Sequence, residues 1–160
     1  MVCSMQYTRS ARKTSFSLAP QSKGPTSMTA DIASVVLRVV VGGIFTAQGT
    51  RKVFAHHDVP FGRTPLTNMI AAQGFPNPHV LALVTSVIEL LGGLLVLAGL
   101  MTRPALIPLM AILFMAVIRF KWSAGFFGGW DWPFSVLGGS AALFILGPGD
   151  YSLDSMLNLL

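Results

Sequence analysis

The apolar positions of this chain fall into four long stretches, separated by short clusters of charge, proline and glycine. The stretch from Ile32 to Thr50 contains a single charge, Arg38. The stretch from His79 to Thr102 also contains one, Glu89. Pro104 to Ile118 and Trp132 to Gly149 contain none. A bilayer core of about 30 Å needs about 20 helical residues at 1.5 Å rise. The first, second and fourth stretches meet that length directly. The third meets it by running on to Trp122, with Arg119 and Lys121 snorkelling to the interface. The pattern predicts four transmembrane helices, at about 32–54, 79–101, 104–122 and 132–147, with one long loop over 55–78. Asn77-Pro78, Thr102-Arg103-Pro104 and Asp131-Trp132-Pro133 read as helix starts, and Gly147-Pro148-Gly149 as a stop. The short connections make neighbours antiparallel, so the expected fold is all-α, a four-helix transmembrane bundle. No internal repeat is visible.

Composition agrees. Of 160 residues, 17 are charged, or 11%, against roughly 25% in an ordinary soluble domain. Mean hydropathy is +0.65. So few charges cannot wet the surface of a compact soluble protein of this size. The one cysteine, Cys3, has no partner in the chain, which excludes a disulfide scaffold and a self-contained thiol redox centre.

The net charge of +5 has a local origin. Residues 1–31 hold Arg9, Arg12, Lys13, Lys23 and Asp31, a net +3, and the remaining 7 basic and 5 acidic residues add +2. No basic stripe with interleaved aromatics is present, so no nucleic-acid partner is expected. Residues 1–27 are polar, basic and free of acids, and lack the apolar core of a secretory signal. They read as a disordered extension, as a start assigned upstream of Met28, or as a transit-like segment, leaving 28–160 as the membrane domain. Lys and Arg divide five against five between the two sides. The count becomes one against five if the chain starts at Met28, so orientation stays open.

Two charges, Arg38 and Glu89, fall inside predicted spans away from the charged ends, where each costs about 2.5–3.5 kcal/mol or more. With both helices taken as flush, Arg38 lies about 9 Å from one end and Glu89 about 15 Å from the other, which predicts either a buried Arg38–Glu89 ion pair or a protonated Glu89. Ser34, Arg38, Gly42, Phe45, Gln48 and Lys52 share one helical face. Thr85, Glu89, Gly92, Val96 and Gly99 share another. Arg38, Gln48, Lys52 and Glu89 are therefore the candidate ligand or proton-relay residues, while catalytic residues are unassigned. The third helix has no polar row and is expected to face lipid. His56, His57 and Asp58 on the loop are a weak metal signal, and no metal site is assigned. The aromatics from Phe120 to Phe134 suit an interfacial belt, and less simply a stacking surface for a quinone.

Four blocks carry a family resemblance. They are Leu37-Arg38 with Gly42-Gly43-Ile44-Phe45, Gln48-Gly49 and Lys52; Ala72-Gln73-Gly74-Phe75-Pro76; Glu89-Leu90-Leu91-Gly92-Gly93 running on to Gly99-Leu100-Met101-Thr102-Arg103; and Gly147-Pro148-Gly149-Asp150-Tyr151-Ser152-Leu153-Asp154. In this order, over about residues 32–157, the chain resembles the DoxX family of small four-helix membrane proteins. Gln48 stands where relatives often have His. The resemblance implies a multi-pass protein of the bacterial inner membrane that serves as a subunit associated with an oxidoreductase system. DoxX-like proteins are similar to a subunit of a thiosulfate:quinone oxidoreductase, and some relatives are linked to redox-stress assemblies. The leading expectation is thus a quinone-contacting or docking subunit, with the lipid bilayer, a soluble oxidoreductase and a second copy of the chain as candidate partners. The alternatives are a non-enzymatic membrane scaffold and a small transporter with Glu89 in the pathway.

Overall fold

The computed structural model describes residues 25–54, 63–122 and 125–157, and among them all regular structure is helical. Helix α1 is Pro25–Phe54, α2 Arg63–Ala72, α3 Pro78–Ala98, α4 Thr102–Met115, α5 Asp131–Leu146 and α6 Leu153–Met156. Helix α4 widens into a π-helical turn, Ala116–Lys121, without breaking. The segment Phe126–Trp130 is a kinked turn, with Phe127 extended and Gly128 at φ +75°.

Among the described residues, three helices are long and apolar enough to cross a membrane: Met28–Phe54, Pro78–Ala98 and Thr102–Lys121, of 27, 21 and 20 residues. Helix α5 is shorter. Its 16 residues rise about 24 Å, less than a 30 Å hydrocarbon core. The segment expected as one long loop contains α2. That helix was hidden because it is short and carries Pro65 in its first turn, where proline is tolerated. It buries Thr67 and Ile70, and packs mainly on α3. Helix α1 already begins at Pro25, inside the basic extension, of which positions 1–24 lie outside the described residues.

Helices α1 and α3 form the principal antiparallel pair, and glycines set their register. A Cβ on Gly49 would lie 2.4 Å from Leu90 N, and one on Gly93 2.5 Å from Thr46 N. One on Gly42 would lie 2.8 Å from Leu97 N. Backbone therefore meets backbone at three levels, as small residues permit in membrane helices. Helices α4 and α5 close the bundle. The core joins Val41 and Phe45 of α1, Val96 of α3, Leu106, Leu109 and Leu113 of α4, and Val136 and Leu143 of α5. The third predicted helix presents Ile107, Phe114 and Ile118 outward, as a lipid-facing helix would, but it is also a core element, since α4 buries its other face from Thr102 to Leu113. Two buried hydroxyls are satisfied within their own helices: Ser86 Oγ donates to Ala82 O at 2.6 Å and Ser140 Oγ to Val136 O at 2.8 Å. The outward faces are apolar. Val36, Val39 and Val40 on α1, and Val84, Leu91 and Leu94 on α3, are about half exposed. Apolar surface on this scale belongs against lipid.

The end of α1 that carries Arg38 is closed by the C-terminal segment. Arg38 Nη1 donates to Pro148 O at 2.9 Å and to Tyr151 O at 2.8 Å, and Nη2 reaches Leu97 O at 3.5 Å. Asp154 N donates to Gly99 O at 2.9 Å. The Asp154 carboxylate accepts from Met101 N at 2.7 Å and Thr102 N at 3.1 Å, capping α4 from 52 residues away. The start expected at Thr102-Arg103-Pro104 is therefore real, but its cap comes from elsewhere in the chain. Asn77 does occupy the N-cap position of α3, in left-handed conformation at φ 49° and without a side-chain cap. Because Asp154 is only 1% exposed, Asp154→Ala is expected to lower stability by about 2 kcal/mol, the upper end for a lost cap. Asp154→Asn should retain only part of that stability, since its one carbonyl oxygen can replace the oxygen facing Met101 N or the one facing Thr102 N but not both. Unfolding midpoints in detergent check both.

Candidate functional site

Arg38 and Glu89 do not pair. The glycine contacts place Arg38 level with Gly99, whose added Cβ would lie 2.7 Å from the guanidinium carbon. Glu89 is level with Lys52, and Lys52 Nζ donates to Glu89 Oε2 at 2.5 Å. Arg38 and Lys52 are fourteen residues apart on α1, about 21 Å by helical rise. The sequence estimate failed because it took the two helices as flush. In fact the C-terminal end of α3 meets α1 near Arg38 to Gly42, well inside it. Arg38 thus belongs to the C-terminal clasp, and Gln48, Lys52 and Glu89 gather at the other end of α1.

The Lys52–Glu89 pair is deeply set, with side chains 16% and 7% exposed. It opens onto a cavity of about 390 Å³ between α1, α2, α3 and α4 with its π turn. Leu66, Met69 and Ile70 of α2, Phe75, Ile112 and Phe120 supply apolar wall, and Thr85 adds a hydroxyl. Two further cavities, of about 120 and 600 Å³, share Lys52 and Lys121 with the first and bring in Gln48 and Trp132. An apolar wall with a few convergent polar groups is the usual form of a small-molecule site, and 390 Å³ lies in the common range of about 300–1,000 Å³. Such a place can orient one polar head by donation from an ammonium and acceptance by a carboxylate, while holding the apolar remainder against α2 and α4.

Lys121 was missed as a site residue. Beside Arg119 and Trp122 it reads as an interfacial snorkelling cation, and only the π-helical turn directs it inward. Its neighbour Arg119 does turn outward, with its guanidinium 5.6 Å from the centre of the Phe75 ring. The aromatics divide as well. Trp122 and Trp130 stack at 5.9 Å, and Trp130 meets Phe126 and Phe134 edge-on at 4.7 and 5.5 Å. Trp132 and Phe120 instead line the cavities. His79 is exposed at the start of α3, while His56, His57 and Asp58 lie outside the described residues.

No solved structure matches the chain. It is similar to the uncharacterized membrane protein Rv3486 of Mycobacterium tuberculosis, with 29% identity over 150 residues, 86% of this chain and 85% of that one. The DoxX family model matches residues 33–122, which covers more than half of the chain, though less than the 32–157 expected from the blocks. The matched segment runs from the start of the α1–α3 glycine contacts through Lys52, Glu89 and Lys121, so that the register and the cavity both lie inside it. The chain is a membrane protein and belongs to the DoxX family.

Proposed function

We propose that this protein is a multi-pass subunit of a bacterial inner-membrane oxidoreductase system, in which the cavity beside Lys52 and Glu89 receives the head group of a quinone. The observation that carries the reading is a buried ion pair opening onto an apolar cavity of about 390 Å³. A quinone fits that chemistry. Its ring carbonyls accept hydrogen bonds from an ammonium, its ring packs on apolar and aromatic walls, and its tail partitions into lipid. Helix α5 serves as the fourth span of the bundle, its short length offset by the interfacial aromatics at its start and by bilayer thinning. Electrons come from a soluble oxidoreductase docked on the exposed turns, since the chain has no thiol pair of its own. Residues 1–27 act as a basic extension beside the membrane domain.

The test is purification of the full chain in a mild detergent, followed by organic extraction and titration with a short-chain quinone. Quinone is expected near one per chain, with retention lost in Lys52→Met. A soluble oxidoreductase that co-purifies while no quinone is retained or bound would favour the scaffold reading. Substrate flux into vesicles that Glu89→Gln abolishes would favour the transporter reading.

A further inference from the structure

Three charged side chains line the 390 Å³ cavity: Lys52, Glu89 and Lys121. Lys52 and Glu89 neutralise each other at 2.5 Å. Lys121 is half-buried and lines all three adjoining cavities. It has no ion pair or hydrogen bond to another described residue. Besides Glu89, the described carboxylate that lines one of these cavities is Asp131, which shares only the 600 Å³ cavity with Lys121. Asp131 Oδ2 accepts from Gly128 N at 3.3 Å, and the residue stands in the first turn of α5, where the helix dipole favours an acid. Arg119 is engaged with Phe75. The main cavity therefore carries one uncompensated positive charge against a largely apolar wall.

A half-buried ammonium beside an apolar wall is stabilised by a counter-charge. The backbone has been arranged to present it. Over the π turn each residue advances by somewhat less than the roughly 100° of an α-helix, and Phe120 and Lys121 both lie on the cavity wall. We infer that Lys121 makes the cavity selective for an amphiphile whose head group carries one ionised oxygen, an enolate or a carboxylate, over its neutral counterpart. This inference rests on the reading of the cavity as the site of an amphiphile's head, and it narrows that head to a monoanion.

The experiment uses the full chain in a neutral detergent at neutral pH. The ligands are a 2-hydroxy-3-alkyl-1,4-naphthoquinone, which is ionised, its neutral 2-methoxy ether, and an unsaturated fatty acid as competitor. Binding of either quinone is read as quenching of tryptophan emission, since Trp132 lines the adjoining cavities. The hydroxyquinone is expected to bind about ten-fold more tightly than the ether, the ratio set by one charge-assisted hydrogen bond. Lys121→Gln should weaken the hydroxyquinone to the level of the ether and leave the ether unchanged, and Lys121→Arg should keep the preference. Displacement by the fatty acid in the wild type but not in Lys121→Gln identifies the ionised oxygen alone as the recognised feature. Failure of the fatty acid to displace shows that the ring is required as well. Equal affinity for hydroxyquinone and ether in the wild type overturns the inference and leaves the cavity reading standing. Equal weakening of both ligands by Lys121→Gln does the same. If neither quinone binds the wild type, the reading of the cavity falls and this inference with it. The wild-type comparison is decisive even if Lys121→Gln does not fold.

Discussion

Alanine at Gly49 or Gly93 is expected to remove most of the folded protein, while alanine at Gly43 is silent. The three glycines lie on two helices of one pair, yet their surroundings differ. A Cβ on Gly49 would lie 2.4 and 2.5 Å from Leu90 N and Cα, and one on Gly93 2.5 Å from Thr46 N. Those atoms are backbone and cannot rotate away, so the helices must separate. Overpacking in cores costs about 1–3 kcal/mol when side chains can adjust, and a clash with a rigid backbone should reach or exceed the top of that range. Separation also loosens the Lys52–Glu89 contact, because Gly49 lies one turn from Lys52 on the same helix. Gly43 has nothing within 4 Å of an added Cβ, and alanine there gains helix propensity. The measurement is the yield of monodisperse protein and its unfolding midpoint in detergent. Gly92→Ala should fall between the extremes, since its added Cβ meets only the Leu109 side chain, at 3.1 Å.

The second large effect is at the ion pair. Lys52→Met or Glu89→Leu should each cost about 3 kcal/mol, because each leaves a buried charge without its partner. The double variant Lys52→Met with Glu89→Leu should recover most of that loss, since two apolar side chains replace the pair in an apolar wall. Stability and ligand retention should then part company. The double variant folds, and the quinone is not retained. Unfolding midpoints of the four proteins give the coupling directly as a double-mutant cycle. Recovery of both stability and retention would mean that the pair only sets the helix register. A Glu89→Leu variant as stable as the wild type would mean that the carboxylate carries no buried charge.

Helix positions were largely legible because each span is a long apolar run bounded by charge or proline. The predicted starts at 79, 104 and 132 fall within two residues of the observed 78, 102 and 131. The short helix α2 was not legible. Ten residues with proline in the first turn give too little periodicity, and α2 forms because Ile70 is buried at its contact with α3. The polar seam was half legible. Gln48 and Lys52, four apart on one face of α1, share a cavity region with Glu89 of α3. Arg38 has the same spacing and still goes elsewhere, because a helical face says nothing about level along the partner helix. Its guanidinium is used by carbonyls of Pro148 and Tyr151, more than a hundred residues away.

Scarcity of charge and long apolar runs determined by themselves that this chain lies in a membrane, where α3, α4 and α5 begin to within two residues, and which faces of α1 and α3 carry the polar residues. Those are properties of local composition and of a 3.6-residue period, and need no knowledge of neighbours. Only the tertiary structure decided which charges meet. Three backbone contacts at Gly42, Gly49 and Gly93 fix the stagger of α1 against α3, and that stagger gives Glu89 to Lys52 and Arg38 to the C-terminal segment. The π-helical turn then brings Lys121 to the same cavity. Pairing of buried charges depends on register to within about one helical turn of 5.4 Å, and register is a property of two surfaces in contact, not of either helix alone.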